Sequence, residues 1–204
     1  MEKNFTYLQG RIPDLLWDLP YAGKKNLTGM PLPGYRANVL IGTISLHEGL
    51  IKATKEAKKR GYLFSVFDAY RPQKAVKALV HWATLPERGE TKEQFYPTIK
   101  KEDLFSLGYI ATKSAHSRGS AIDLTLVDRK GKPLNMGTTF DFMSPKSHFS
   151  SQEVGNEAVE NRKILREIME TSGFLPYEKE WWHFSLAKEP YPDTYFDFDI
   201  LNQV

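Results

Sequence analysis

Among the 204 residues there is no cysteine. That absence excludes disulfide frameworks, thiol catalysis, iron–sulfur clusters and cysteine-ligated zinc, so any metal has to be held by histidine, aspartate or glutamate. Long apolar runs are missing as well: no stretch approaches 18 apolar residues, and the opening MEKNFTYLQGRIPDLLWDLP carries acids and prolines where a leader peptide has an apolar segment. The expected location is therefore the cytoplasm, with no membrane partner. An excess of one charge sign is nearly absent too. Lys plus Arg number 28 against 25 Asp plus Glu, a formal net charge of +3, far from the one-faced excess of a nucleic-acid binder. Much of that excess sits in Lys52, Lys55, Lys58, Lys59 and Arg60, at the end of one expected helix where cations suit the helix dipole, so nucleic acid is set aside as a partner.

What is present suits one folded body. Hydrophobic residues make up 41% and aromatics 13% of the chain, which excludes a wholly disordered protein. The length is that of one core, and no internal repeat, low-complexity tract or linker interrupts it, so residues 1–204 are read as a single domain. Residues 1–44 are rich in Pro, Gly and Tyr (Pro20, Tyr21, Gly23, Gly29, Pro31, Pro33, Gly34, Tyr35) and are expected to be an irregular segment wrapped on the body, walling a pocket.

Ser45 followed by Glu48 reads as a capping box for a helix over 46–60, with Leu46, Leu50, Ala53 and Ala57 on one face and Gly61 as its stop. The run Tyr62 to Phe67 predicts a buried strand ending at Asp68, and Pro72 opens a second helix through Val76, Leu79, Val80 and Ala83. A weaker helix is expected over 101–107. Residues 120–127 alternate, with Ile122, Leu124 and Leu126 facing the core and Ala121, Asp123 and Thr125 forming a polar face; Asp128 to Gly131 then reads as a hairpin turn into a strand near 132–136. Asn156 is a candidate cap for a third long helix with Val159, Leu165, Ile168 and Met169 inward and Gly173 closing it, and Trp181 to Leu186 is aromatic enough for a final strand. This order predicts an α+β fold in which helices pack on a central, mostly antiparallel sheet.

Three short motifs carry chemistry. In Ser114-Ala115-His116-Ser117-Arg118-Gly119-Ser120-Ala121-Ile122-Asp123 a tight turn leads into a strand; the seven-residue offset separates His116 and Asp123 on a straight strand, so the turn is what lets these two zinc donors converge. In Glu180-Trp181-Trp182-His183-Phe184 the tryptophans read as packing, His183 as a third ligand, and Glu180 as an acid that must be paired, hydrated or shifted in pKa beside them. A His-Asp-His set leaves a fourth position for water, whose pKa can fall from about 15.7 towards 7 on zinc, and Glu180 can then serve as general base and acid. Arg71, in Asp68-Ala69-Tyr70-Arg71-Pro72 at a strand-to-helix corner, is a candidate oxyanion donor; the competing reading is a salt bridge to Asp68, and the residues alone leave both open. His47, His81 and His148 match no motif. On these residues the chemistry is that of a zinc peptidase or amidohydrolase.

Taken together, Asp-x-Tyr-Arg-Pro, Ser-x-His-x6-Asp and Glu-Trp-Trp-His, in this order along the chain, resemble the D-alanyl-D-alanine dipeptidase family, which includes the vancomycin-resistance dipeptidases and belongs to the zinc D-Ala-D-Ala peptidases. The likeness extends through Tyr21-Ala22, Thr28-Gly29, Phe140-Asp141-Phe142-Met143 and the closing Glu189-Pro190-Tyr191-Pro192 with Tyr195-Phe196-Asp197-Phe198. It implies one zinc ion per chain on His116, Asp123 and His183, Glu180 as catalytic base, Arg71 stabilising the transition state, Asp141 and Tyr21 holding the ammonium of a small dipeptide substrate, and Ser114 and Tyr35 near its carboxylate. Ala115 stands where some members carry serine, so a carboxylate contact from that side chain is absent. Two alternatives follow: a D,D-carboxypeptidase acting on peptidoglycan precursors, disfavoured by an ammonium anchor in a closed pocket, and a non-catalytic zinc domain that binds peptides, which would need neither Glu180 nor Arg71.

Overall fold

The computed structural model describes residues 2–87, 89 and 91–203. Its elements are β1 (Phe5–Tyr7), β2 (Leu16–Trp17), β3 (Ile41–Thr43), α1 (Ile44–Lys59), β4 (Leu63–Asp68), α2 (Gln73–Thr84), α3 (Lys92–Phe95), β5 (Ala121–Val127), α4 (Asn156–Thr171), β6 (Phe174–Tyr177) and β7 (Glu180–Leu186), with short 3-10 turns between them. The fold is α+β. A five-stranded sheet runs in the order β2-β4-β5-β7-β6, and β1 pairs with β3 in a separate two-stranded sheet. β2 runs parallel to β4, and every other pairing in the large sheet is antiparallel.

Sidedness follows from the pleat. Ile122 lies opposite Phe184, and Asp123 opposite His183, so the apolar pair and the polar pair point to opposite faces of the same two strands. The apolar face is covered by α1, whose Gly49 comes so close to Leu186 and Phe174 that a Cβ there would sit 3.0 Å from the Leu186 Cδ2. α4 packs beside α1 and across β5 and β6. Fully buried Leu46, Leu50, Leu165, Ile168, Phe174 and Phe184 fill this layer. Asp123 and His183 are left on the other face.

Several expectations of local structure need correction. α1 begins two residues early, and its cap is Thr43, whose hydroxyl accepts from the Leu46 amide at 3.1 Å, not Ser45. Gly155, at φ +84°, is the N-cap of α4, and Asn156 is its first helical residue. The helix anticipated over 101–107 is one 3-10 turn, Lys101–Asp103, followed by turns. The hairpin turn at Asp128 forms, with the Asp128 amide bonded to the Lys132 carbonyl, but its returning partner is an isolated bridge at Pro133 instead of a strand. All seven residues of β5 are buried, so the face carrying Ala121, Asp123 and Thr125 is covered and not open to solvent. The first 44 residues are less irregular than their composition suggests, since they supply β1, β2, β3 and the 3-10 turn Pro20–Ala22.

Candidate active site

Polar side chains from six segments meet at the face of the large sheet that carries Asp123 and His183. The first is the 3-10 turn Ala115–Arg118, closed by Gly119 at φ +74°. A left-handed residue is required there to turn the chain into β5, and a Cβ at Gly119 would run into the Phe5 ring and approach the Thr43 methyl, so only glycine fits. The turn swings His116 back over Asp123. Ser114 caps the turn, its hydroxyl accepting from the His116 amide at 3.3 Å.

His116 is oriented by its other nitrogen: Nδ1 donates to the Ala69 carbonyl at 2.6 Å, which turns Nε2 towards Asp123 and His183. That atom is 3.1 Å from Asp123 Oδ2 and 3.0 Å from His183 Nδ1, and His183 Nδ1 is 2.9 Å from Asp123 Oδ1. His116, Asp123 and His183 form a group whose donor atoms all lie within 4.8 Å of one another, of a kind that could hold a metal ion. Three lone-pair donors of this chemistry converging on one point in a buried setting fit a divalent cation, and nitrogen and carboxylate oxygen suit zinc. Burial opposes the charge of Asp123, but His116 and His183 outweigh it and hold its pKa far below the ordinary carboxylate range. Burial lowers the His183 pKa, and the hydrogen bond and charge of Asp123 more than reverse this, so it is raised.

Arg71 approaches from the corner between β4 and α2. Its Nε donates to Asp68 Oδ2 at 2.8 Å and its NH2 reaches Asp123 Oδ2 at 3.5 Å. The guanidinium lies 4.7 Å from the centre of the Tyr21 ring. Arg71 is salt-bridged to Asp68, as one of its two sequence readings has it, and it also lines the cavity beside the three-residue group. Desolvation works against its charge, and Tyr21 and Asp68 overcome that, leaving its pKa well above that of a free arginine.

Asp68 is the residue that sequence reasoning underrated. Only 1% exposed, it accepts from the Tyr35 hydroxyl at 2.7 Å as well as from Arg71, and its Oδ2 is 3.6 Å from His116 Nδ1. Its only sequence signal was its position three residues before Arg71. Tyr35 is correspondingly not among the residues lining the cavity; its hydroxyl is taken up by Asp68 behind Arg71. Ser114 does line the cavity.

Tyr21 and Asp141 also line the cavity, and the Asp141 Oδ2 accepts the tyrosine hydroxyl at 2.6 Å. Asp141 sits at φ +59° and is 4% exposed. Burial is the main reason its pKa is raised to about 8, opposed by Tyr21 and Arg71. Glu180, at the start of β7, is likewise pushed to about 7, chiefly by desolvation, with His183 pulling the other way. The cavity these groups share has a volume of about 370 Å³, with Leu27, Val76, Leu79, Tyr109 and Met143 as apolar wall. His47 and His81 lie on α1 and α2, and His148 bonds the Tyr109 hydroxyl at 3.2 Å, outside the cavity lining.

A family model described as D-ala-D-ala dipeptidase matches residues 1–201. Over 201 residues, 98% of this chain and 100% of each relative, the chain is 46% identical to a D-alanyl-D-alanine dipeptidase of Enterococcus faecium, 45% to one of Enterococcus faecalis and 41% to one of Streptomyces coelicolor.

Proposed function

The chain belongs to the D-ala-D-ala dipeptidase family, a family of metallopeptidases, and on that premise we propose that it is a zinc-dependent enzyme that hydrolyses the dipeptide D-alanyl-D-alanine. The observation that carries the reading is the convergence of His116, Asp123 and His183 in one cavity wall with Glu180, Arg71 and Asp141. His116 through Nε2, Asp123 through its carboxylate and His183 through Nδ1 are the residues that would hold the ion. When bound, zinc supplies Lewis acidity, polarising a carbonyl and lowering the pKa of water.

The remaining roles follow from the chain's own groups. Glu180, with its pKa raised to about 7 by burial, is a base matched to neutral pH: it takes the proton of the attacking water and returns it to the departing amine. Arg71 is held by Asp68 through Nε, so its terminal nitrogens face the cavity and donate to the oxygen that becomes negative in the transition state. Asp141 receives the substrate ammonium, and the incoming cation relieves the desolvation that raises its pKa. Tyr21 fixes the Asp141 carboxylate through its hydroxyl, and Ser114 faces the substrate carboxylate end. Tyr35 contributes by holding Asp68.

The D,D-carboxypeptidase alternative requires room beyond the amino end of the cleaved dipeptide, where Tyr21 and Asp141 stand. The test is metal analysis combined with a substrate panel. One zinc per chain and rapid cleavage of D-Ala-D-Ala are expected, with neither L-Ala-L-Ala nor a pentapeptide ending in D-Ala-D-Ala turned over appreciably. Efficient release of D-Ala from the pentapeptide would establish the carboxypeptidase instead.

A further inference from the structure

The segment Tyr195-Phe196-Asp197-Phe198 has no place in the site chemistry, and it forms no strand or helix. Phe196, Asp197 and Phe198 are nevertheless each bonded to the two corners that bear the catalytic groups. The Phe196 amide donates to the Ser117 carbonyl at 2.8 Å, and the Phe196 carbonyl accepts from the Gln73 amide at 3.0 Å. Asp197 Oδ1 accepts from the Lys74 amide at 2.6 Å. The Phe198 carbonyl accepts the Tyr70 hydroxyl at 3.1 Å, and the two rings stack at 4.2 Å between centroids.

These bonds solve a local problem. α2 begins at Pro72, which has no side chain able to cap it, so the amides of Gln73 and Lys74 have no partner within the helix. The tail supplies both partners, one from the Phe196 carbonyl and one from the Asp197 carboxylate, placing a negative charge at the positive end of the helix. Arg71 lies one residue before that helix start, and Ser117 lies one residue after His116. The two corners are also stitched directly, the Ser117 hydroxyl donating to the Arg71 carbonyl at 2.8 Å and the Arg71 amide to the His116 carbonyl at 3.3 Å. Just before the segment, Glu189 accepts from Arg118 of the same turn through two bonds of 2.5 and 2.6 Å.

We propose that residues 195–198 act as a strap that sets the position of the oxyanion-binding arginine relative to the metal-ligand turn, with Asp197 as a positioning residue for Arg71 and His116. The inference rests on the roles given above to those two residues. Asp197 touches neither the cavity nor the ligand group, so its effect has to pass through the start of α2 and the peptide of Phe196.

The experiment compares Asp197→Ala, Asp197→Asn and Asp199→Ala in the full chain loaded with zinc. Asparagine keeps an acceptor oxygen at the cap, and Asp199, which pairs with the Lys74 ammonium at 2.7 Å, controls for loss of a tail charge near the same lysine. For Asp197→Ala, kcat on D-Ala-D-Ala is expected to fall about fivefold with KM within about twofold, and zinc release to a chelator to quicken by a similar factor, the scale of one lost cap. Asp197→Asn and Asp199→Ala should stay near wild type in both. A lower melting temperature for Asp197→Ala with kcat and zinc release unchanged would reduce the tail to a structural clamp and overturn the proposal. If the wild-type protein binds zinc but leaves D-Ala-D-Ala intact, the proposed function fails, while the zinc-release comparison still decides whether the strap acts on His116.

Discussion

A carboxyl group that resists ionisation is idle in acid and competent near neutrality, and Glu180 and Asp141, which both line the cavity, are two such groups. For Glu180, raised to about 7 by burial, the ionised form is the working one, so activity is lost as pH falls through its pKa. The acid limb of kcat/KM for D-Ala-D-Ala is expected above the ordinary glutamate value near 4.5, and a pH profile with its limb at or below that value contradicts the assignment. Glu180→Ala should keep its zinc and lose turnover by at least about 10²-fold; metal analysis beside a hydrolysis assay checks both halves. Asp141, raised to about 8 from 3.8, works in the opposite sense on stability. Its raised folded-state pKa means that ionisation disfavours the native state, so the protein without substrate loses stability as pH rises from about 4 towards 8. Asp141→Asn should therefore raise the melting temperature more at pH 8 than at pH 5 while sharply raising KM for D-Ala-D-Ala, a trade of binding for stability that thermal scans at the two pH values would reveal.

At the scale of elements, one glycine decides whether the ligand turn can exist. Gly119→Ala forces a positive φ on a side-chain-bearing residue and drives its Cβ into Phe5, so a loss of about 1–3 kcal/mol in stability is expected together with weaker zinc binding. Denaturant melts and metal titration would show it, and an unchanged zinc affinity would mean that the turn tolerates a different path. The turn itself was legible, because the odd offset between His116 and Asp123 could be reconciled only by reversing the chain at Ser-Arg-Gly. What alternation in β5 could not convey is that both its faces are buried: period-two patterning reports polarity, and a face kept polar for chemistry looks the same as one kept polar for water. The cap of α1 was misplaced for a related reason. Thr43 and Ser45 are both capping types, and the choice fell to Thr43, which can reach Ser120 at 3.1 Å as well as the Leu46 amide, a contact between residues 77 positions apart. The pairing of Asp68 with Arg71 was legible from their three-residue spacing, whereas Tyr35 could not be recognised as the support of Asp68, since the 33 positions that separate them carry no period.

Across the whole molecule, Asp123, Asp141 and Glu180 line the cavity beside Arg71, and Asp68 is buried behind it, so acids outnumber the arginine in a region of low dielectric. A divalent cation answers that imbalance, and binding only to the folded state converts affinity into stability. Stripping zinc with a chelator is expected to lower the melting temperature by about 5–10 °C, the shift for a ligand held at some hundredfold above its Kd in a chain of this size; coincident thermal scans before and after chelation would contradict the metal assignment. The fold class was legible because it depends on local patterns, whereas the cavity depends on joining Tyr21 to Asp141 and the Phe5 ring to Tyr191, Phe196 and Phe198. Those aromatic contacts also bear on how the protein is made. Because residue 5 packs against residues 191–198, and the Ser117 carbonyl waits for the amide of Phe196, a nascent chain on the ribosome has no complete ligand turn until synthesis passes residue 198. With so many partners distant in sequence, folding should be slow for a protein of this length, and acquisition of the metal should come only after residues 195–198 have docked.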